Sequence, residues 1–166
     1  MSFKKTSPPH SAPTPPSPAR LRSLAFALLA RREWSRQALT EKLLETGASA
    51  EQVEPLVEEL VESHYQSDER MAQMLVRANI RKGRGPARVQ QDLKQHAVDR
   101  QLAESEIEQT NWLALAVELR QKKFGTILPT DRKEQARQVR FLQYRGFDLD
   151  ICQRAIRCNA DDAEER

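Results

Sequence analysis

The chain is short of cysteine, glycine, aromatic residues and long apolar runs, and each shortage closes off a class of protein. Cys152 and Cys158 are the only cysteines in 166 residues. They stand six apart on a predicted helix, on different faces, with no histidine near them. Two free structural thiols are therefore expected, not a metal site or a disulfide framework. Five glycines are too few for a chain of many hairpins. With 5% aromatic and 39% hydrophobic residues, the composition suits a thin helical core better than a large sheet. The longest apolar run, Leu24 to Ala30, falls far short of a membrane span. The opening Met1-Ser2-Phe3-Lys4-Lys5 carries no apolar signal core, so a cytoplasmic protein without a membrane partner is expected. Catalytic chemistry is missing too. His10, His64 and His96 have no Asp or Ser partner at a telling spacing, and no Gly-x-x-x-x-Gly-Lys loop exists. Glu58-Glu59 and Asp161-Asp162 read as solvated charge. No enzyme activity, metal, cofactor or small-molecule ligand is expected.

What the sequence does have is helical periodicity in units. Residues 1–19 hold six prolines among Ser, Thr and Ala and read as a disordered tail. Residues 159–166 read as a frayed acidic tail. Between them apolar residues recur at helical spacing. Leu21, Leu24, Ala25, Leu28 and Leu29 form a first stripe. Ser35 caps a helix carrying Leu39 and Leu43. Ser49, with Gln52 three residues on, opens a helix carrying Val53, Val57 and Leu60. Pro55 is awkward there unless that helix begins near Gln52. The pattern returns with Asp68 as a cap for Met71, Ala72, Leu75 and Ile80. A Gly83-Arg84-Gly85-Pro86 break and a helix with Val89 and Leu93 follow. Asp99 then caps a helix with Leu102, Ala103 and Ile107. A third round runs from Thr110 through Trp112, Leu113 and Ala116 to a last helix capped by Asp148.

The copies can be placed in register. When Gly47, Ala97 and Gly146 are aligned, Leu43, Leu93 and Leu142 stand four residues earlier. Ala48, Val98 and Phe147 stand one later, and the cap types Ser49, Asp99 and Asp148 two later. Val53, Ala103 and Cys152 stand six later, and Val57, Ile107 and Ile156 ten later. The predicted fold is all-α: three tandem three-helix repeats, over 20–67, 68–109 and 110–158, stacked into an elongated, curved body.

Charge is segregated along these repeats. Leu43–Glu69 holds eight acids and no Lys or Arg. Arg77–Lys94 holds six bases against Asp92, and Arg120–Arg145 eight bases against Asp131 and Glu134. Such stretches can be solvated faces or partner surfaces. Arginine dominates, which favours bidentate contact with carboxylates or phosphates. Arg77, Arg81, Arg84 and Arg88 recur every three or four residues and are expected to share one side.

Four stretches carry a family resemblance. Leu24–Arg36, with Arg31-Arg32-Glu33-Trp34-Ser35-Arg36, resembles an opening helix and "RREhSR" turn. Asp68-Glu69-Arg70-Met71-Ala72 resembles "DDERFA". Lys82-Gly83-Arg84-Gly85-Pro86 followed by Leu93 resembles "KGyGPrrI…L", and Arg140–Phe147 resembles "RFLxRRGF". In this order and spacing they resemble the RecX family of recombinase regulators, over residues 20–158. Ser67, Met71, His96 and Ala97 depart from the pattern at packing and capping positions. The resemblance implies a monomeric, non-enzymatic modulator of the RecA recombinase. It would bind in the groove of the RecA–DNA filament and inhibit its growth, ATP hydrolysis and strand exchange, thereby modulating recombination and DNA repair. The alternative is a stand-alone helical module that contacts DNA non-specifically.

The candidate partner- or DNA-binding residues are Arg31, Arg32 and Arg36 in the first repeat and Arg77, Arg81, Lys82, Arg84 and Arg88 in the second. In the third they are Arg132, Lys133, Arg137, Arg140 and Arg145. Replacing Arg81, Lys82, Arg84 and Arg88 together is expected to weaken partner binding and leave the fold intact.

Overall fold

The computed structural model describes residues 15–159, and every regular element among them is helical. The acidic residues 161–166 and the Pro-rich stretch up to residue 14 lie outside the described residues. The chain divides into two compact units, Met1–Ser67 and Asp68–Arg166. No described helix is long and apolar enough to cross a membrane.

The first unit holds α1 (Pro18–Arg31), α2 (Arg36–Leu44) and α3 (Ala50–Glu62). Helix α1 starts inside the stretch expected to be tail. Ser17 Oγ accepts the Arg20 N–H at 3.3 Å, and Pro18 fills the first helical position, where its missing N–H is no loss. Ser35 Oγ caps α2 through the Ala38 N–H at 3.2 Å. At α3 the Gln52 side chain reaches back to the Ser49 N–H at 3.1 Å, the second half of a capping box. Helix α3 begins at Ala50, so Pro55 sits inside it rather than in a late first turn. Pro55 and Glu51 are both exposed, which leaves water to satisfy the carbonyl that proline cannot bond. Leu21, Ala25, Leu39, Leu43, Val53, Val57 and Leu60 form the core. Outside it, Arg22 grips Glu59 with two bonds of 2.5 and 2.6 Å, and Arg36 pairs with Glu58. Arg22 holds the Glu59 carboxyl below its ordinary value.

The second unit holds α4 (Asp68–Arg81), α5 (Pro86–Gln95), a 3₁₀ turn (Arg100–Ala103) running into α6 (Glu104–Gln109), α7 (Trp112–Phe124), α8 (Arg132–Tyr144) and α9 (Leu149–Ala155). Asp68 lies in the first turn of α4 rather than before it, where its charge still favours the positive helix end. Asp99 caps the 3₁₀ turn through Gln101 N–H, Asp131 caps α8 and Asp148 caps α9. The expected single helix after Asp99 is broken in two. Three residues per turn instead of 3.6 rotates Leu102 off the core face, and it is 41% exposed. In this unit the register columns hold except at Ile107, which is half-buried: Leu93, Leu142, Val98, Phe147, Ala103, Cys152 and Ile156 are all buried in one cluster.

The alignment column itself has a physical cause. Gly47, Ala97 and Gly146 all have positive φ, at 87°, 53° and 95°. In the second and third copies the helix closes with paired terminal bonds. Val98 N–H reaches Leu93 O at 3.0 Å, and Phe147 N–H reaches Leu142 O at 3.2 Å. Ala97 adopts this left-handed conformation against the bias of its Cβ. That strain is about 1–2 kcal/mol, and glycine's greater unfolded-state freedom offsets part of it. Ala97→Gly is expected to stabilise the chain by about 0.5–1 kcal/mol, read as a higher urea midpoint at unchanged slope.

Both cysteines are free. Cys152 Sγ donates to Phe147 O at 3.6 Å inside the core. Burial, with Asp148 adding to it, pushes the Cys152 thiol up to about 11. The folded thiol therefore stays protonated at pH values where the unfolded chain's has ionised. Its contribution to stability is complete below the ordinary thiol value and is lost as pH rises through about 11. Iodoacetamide at neutral pH is expected to label half-buried Cys158 and to spare Cys152 until the chain unfolds.

Candidate partner-binding surface

The second unit is organised around two turns that meet. Gly83 (φ +63°) closes α4, with Arg84 N–H bonded to Asn79 O at 3.0 Å. Gly85 then caps α5, and its backbone lies against the turn between α8 and α9. Gly85 N–H donates to Arg145 O at 2.9 Å, and Ala87 N–H to Gly146 O at 3.1 Å. A Cβ on Gly85 would stand 2.5 Å from the carbonyl atoms of Gly146 and 2.6 Å from Phe147 N. Gly85 is not left-handed (φ −84°), so close approach, not turn geometry, demands glycine there.

Several candidate arginines are spent on this junction. Arg88 sends Nη2 to Tyr144 O at 3.0 Å and Nη1 to Gln91 Oε1 at 2.9 Å. In return Arg145 Nη1 reaches Lys82 O at 3.2 Å. The two side chains form a reciprocal clamp from each turn onto the other's carbonyl. Arg84 lies 3.6 Å from Asp92, which also accepts from the buried Asn79 amide at 2.8 Å. The expectation that Arg88 could be removed without touching the fold is therefore corrected. So is the single shared side. Arg77 turns to Glu106 on α6 at 2.9 Å, Arg88 lines one groove, Arg81 lines another, and Arg84 stands at the rim of both.

The first groove, about 410 Å³, is bounded by Arg84, Arg88, Gln91, Asp92, Gln95, Tyr144 and Arg145. Its arginines are largely engaged. The second, about 340 Å³, lies between the end of α4 and the exposed face of α7. Arg81 and Lys82 border it; both are exposed, and their side chains make no ion pair or hydrogen bond among the described residues.

On α8, Arg137 is held by Glu134 at 3.3 Å and lies 4.9 Å over the Phe124 ring. Arg132, Lys133 and Arg140 are exposed, with no such partner among the described residues. In the first unit Arg32 stacks 3.7 Å over Trp34, Arg36 is paired with Glu58, and Arg31 is exposed. Tyr144, 76% exposed at the first groove, and Asn79 beneath it went unremarked in the sequence. Asn79 stood out only as a polar residue on an otherwise apolar helix face. Arg120 is a third omission. It is fully buried, with long bonds to Gly125 O and Ile127 O at 3.4 and 3.5 Å, and burial lowers its pKa. It braces the loop after α7 and lines neither groove.

Among the described residues, no group of three or more His, Cys, Asp or Glu side chains is placed to hold a metal. The surface offers cations and shallow apolar ground, which is binding chemistry.

Comparison with known proteins supplies the family. Residues 67–105 match the second three-helix domain of RecX, and residues 110–156 match the third. The chain is 49% identical over 140 residues to the regulatory protein RecX of Acinetobacter baylyi, covering 84% of this chain and 88% of that one. It is 39% identical over 151 residues to the RecX of Halorhodospira halophila, covering 88% and 91%. A crystal structure of RecX from Lactobacillus salivarius superposes with a TM-score of 0.74 at 19% identity, over 84% of this chain and 94% of that one. That likeness concerns the fold alone. With four motifs in order, two matched domains and relatives aligned along most of its length, the chain belongs to the RecX family of regulatory proteins.

Proposed function

We propose that this chain binds the DNA filament of the RecA recombinase in its groove and inhibits it, slowing filament growth, ATP hydrolysis and strand exchange. It acts in the cytoplasm by binding, not by catalysis. The observation that carries the reading is the pair Arg81 and Lys82. They are exposed and unpaired among the described residues, on a turn that backbone contacts hold rigid while neighbouring arginines are committed to the fold. The backbone that carries these cations is already ordered, so binding costs only the freedom of the two side chains. The test is co-sedimentation with RecA assembled on DNA and with DNA alone. Binding to the filament and not to naked DNA supports the reading; equal binding to both removes it.

A second reading, non-specific DNA contact, is favoured by exposed Arg132, Lys133 and Arg140 on α8. It requires affinity without recombinase that falls with salt, at a log–log slope of about −0.9 per duplex phosphate contacted or −0.7 per single-strand phosphate.

A further inference from the structure

We infer that the groove between the end of α4 and the face of α7 takes an acidic protein segment carrying one apolar anchor side chain. This rests on the filament-binding reading and names the chemistry that this groove would recognise. The groove has an aliphatic floor and a cationic edge. Ile80, Leu115 and Leu119 make the floor, each partly exposed although packed on the core. Gly83 keeps it open, since a Cβ there would meet Leu119 Cδ1 at 3.0 Å. Arg81, Lys82 and Lys122 stand on the edge with Arg84, itself paired with Asp92, against Glu118 as the facing carboxylate. Lys122 lies 3.3 Å from Glu118, but both are well exposed, so this pair is easily exchanged for one with a partner.

Apolar ground enclosed by charge is how a protein interface places its most sensitive contact. The excess positive charge selects carboxylates around the anchor. Nucleic acid fits worse. A base needs an exposed ring to stack on, and the ring lining this groove, Phe147, is 4% exposed. The first groove, where Tyr144 is exposed, has that feature and lacks the aliphatic floor.

The experiment measures the affinity of Leu115→Asp and Lys122→Glu for RecA assembled on poly(dT), and separately for poly(dT) alone. Wild type is expected to bind the filament. Leu115→Asp should weaken that about thirtyfold, as removal of a central anchor does. Lys122→Glu should weaken it several-fold, with affinity for poly(dT) unchanged in both. Lys122 is 76% exposed, so its variant carries the test even if Leu115→Asp loses helicity. Filament binding by both variants at wild-type strength overturns the groove and leaves the function standing. Equal weakening on poly(dT) alone overturns the protein occupant in favour of nucleic acid. Failure of wild type to bind the filament overturns both groove and function.

Discussion

Gly85→Ala is expected to destabilise the second unit by about 3 kcal/mol, the upper end of what overpacking usually costs. For a unit of this size that lowers the melting temperature by about 12 °C or more. The added methyl would meet backbone, not a side chain that could swing away: Gly146 C and O at 2.5 Å and Phe147 N at 2.6 Å. Retreat is blocked because Gly85 N–H and Ala87 N–H are both bonded to that same turn, at 2.9 and 3.1 Å. Separating the turns would stretch those bonds and the Arg88 and Arg145 clamps together. Gly125→Ala is the matched control. A Cβ there meets nothing within 4 Å, so only the backbone opposes it: φ 88° with ψ 177° is a conformation nearly confined to glycine, at about 1–3 kcal/mol. Thermal unfolding followed by circular dichroism separates the two. A loss below about 1 kcal/mol for Gly85→Ala, whose own φ of −84° suits alanine, would mean that the turns do not press on each other.

The second large effect is functional. Arg81→Ala with Lys82→Ala is expected to raise the concentration for half-inhibition of the recombinase by about tenfold or more, with melting unchanged. Both side chains are exposed and support no interaction among the described residues, so the folded state loses nothing with them. Two charged contacts to a partner, at about 1 kcal/mol or more each, account for the factor. Arg88→Ala and Arg145→Ala are expected to behave in the opposite way. Each removes a charged donor from a carbonyl across the turn junction, which costs about 1 kcal/mol of stability. Any loss of inhibition there should follow the loss of fold. The readouts are a titration of recombinase inhibition and a melting curve for each variant.

This division of labour among the arginines explains what the sequence could and could not reveal. Most helix starts, though not those of α1 and α4, were legible, because a cap needs Ser or Asp within three residues of the N–H it satisfies. Ser35, Ser49, Asp99 and Asp148 all stand where local chemistry put them. The turn column was legible too, since a left-handed residue must follow each second helix, and even Ala97 obeys. What failed involved distance. Arg88 finds its carbonyl 56 residues away and Arg145 finds one 63 residues away. A spacing of three to four along the chain carries no trace of such partners. Gly85 reads locally only as part of a chain break, because the neighbour that demands glycine there belongs to another copy of the repeat. Leu102 failed for a different reason. A change from α to 3₁₀ winding shifts the face without altering the apolar pattern.

The same distinction narrows the candidate surface. The sequence offered thirteen cations, with Arg81, Lys82, Arg84 and Arg88 foremost. The structure takes Arg36, Arg77, Arg84, Arg88, Arg137 and Arg145 into ion pairs or carbonyl bonds and stacks Arg32 on Trp34. Arg31, Arg81, Lys82, Arg132, Lys133 and Arg140 are left exposed, and of these Arg81 and Lys82 border a groove with apolar ground beside them. The acidic α3 is partly accounted for as well, since Glu58 and Glu59 answer Arg36 and Arg22 within their own unit.

The most direct test of the account is the DNA-dependent ATP hydrolysis of the cognate RecA, titrated with this chain at fixed DNA. The rate is expected to fall progressively as the chain is added, with the Arg81→Ala, Lys82→Ala variant shifted to higher concentration. A hydrolysis rate that stays constant while the wild-type chain saturates the filament would contradict it.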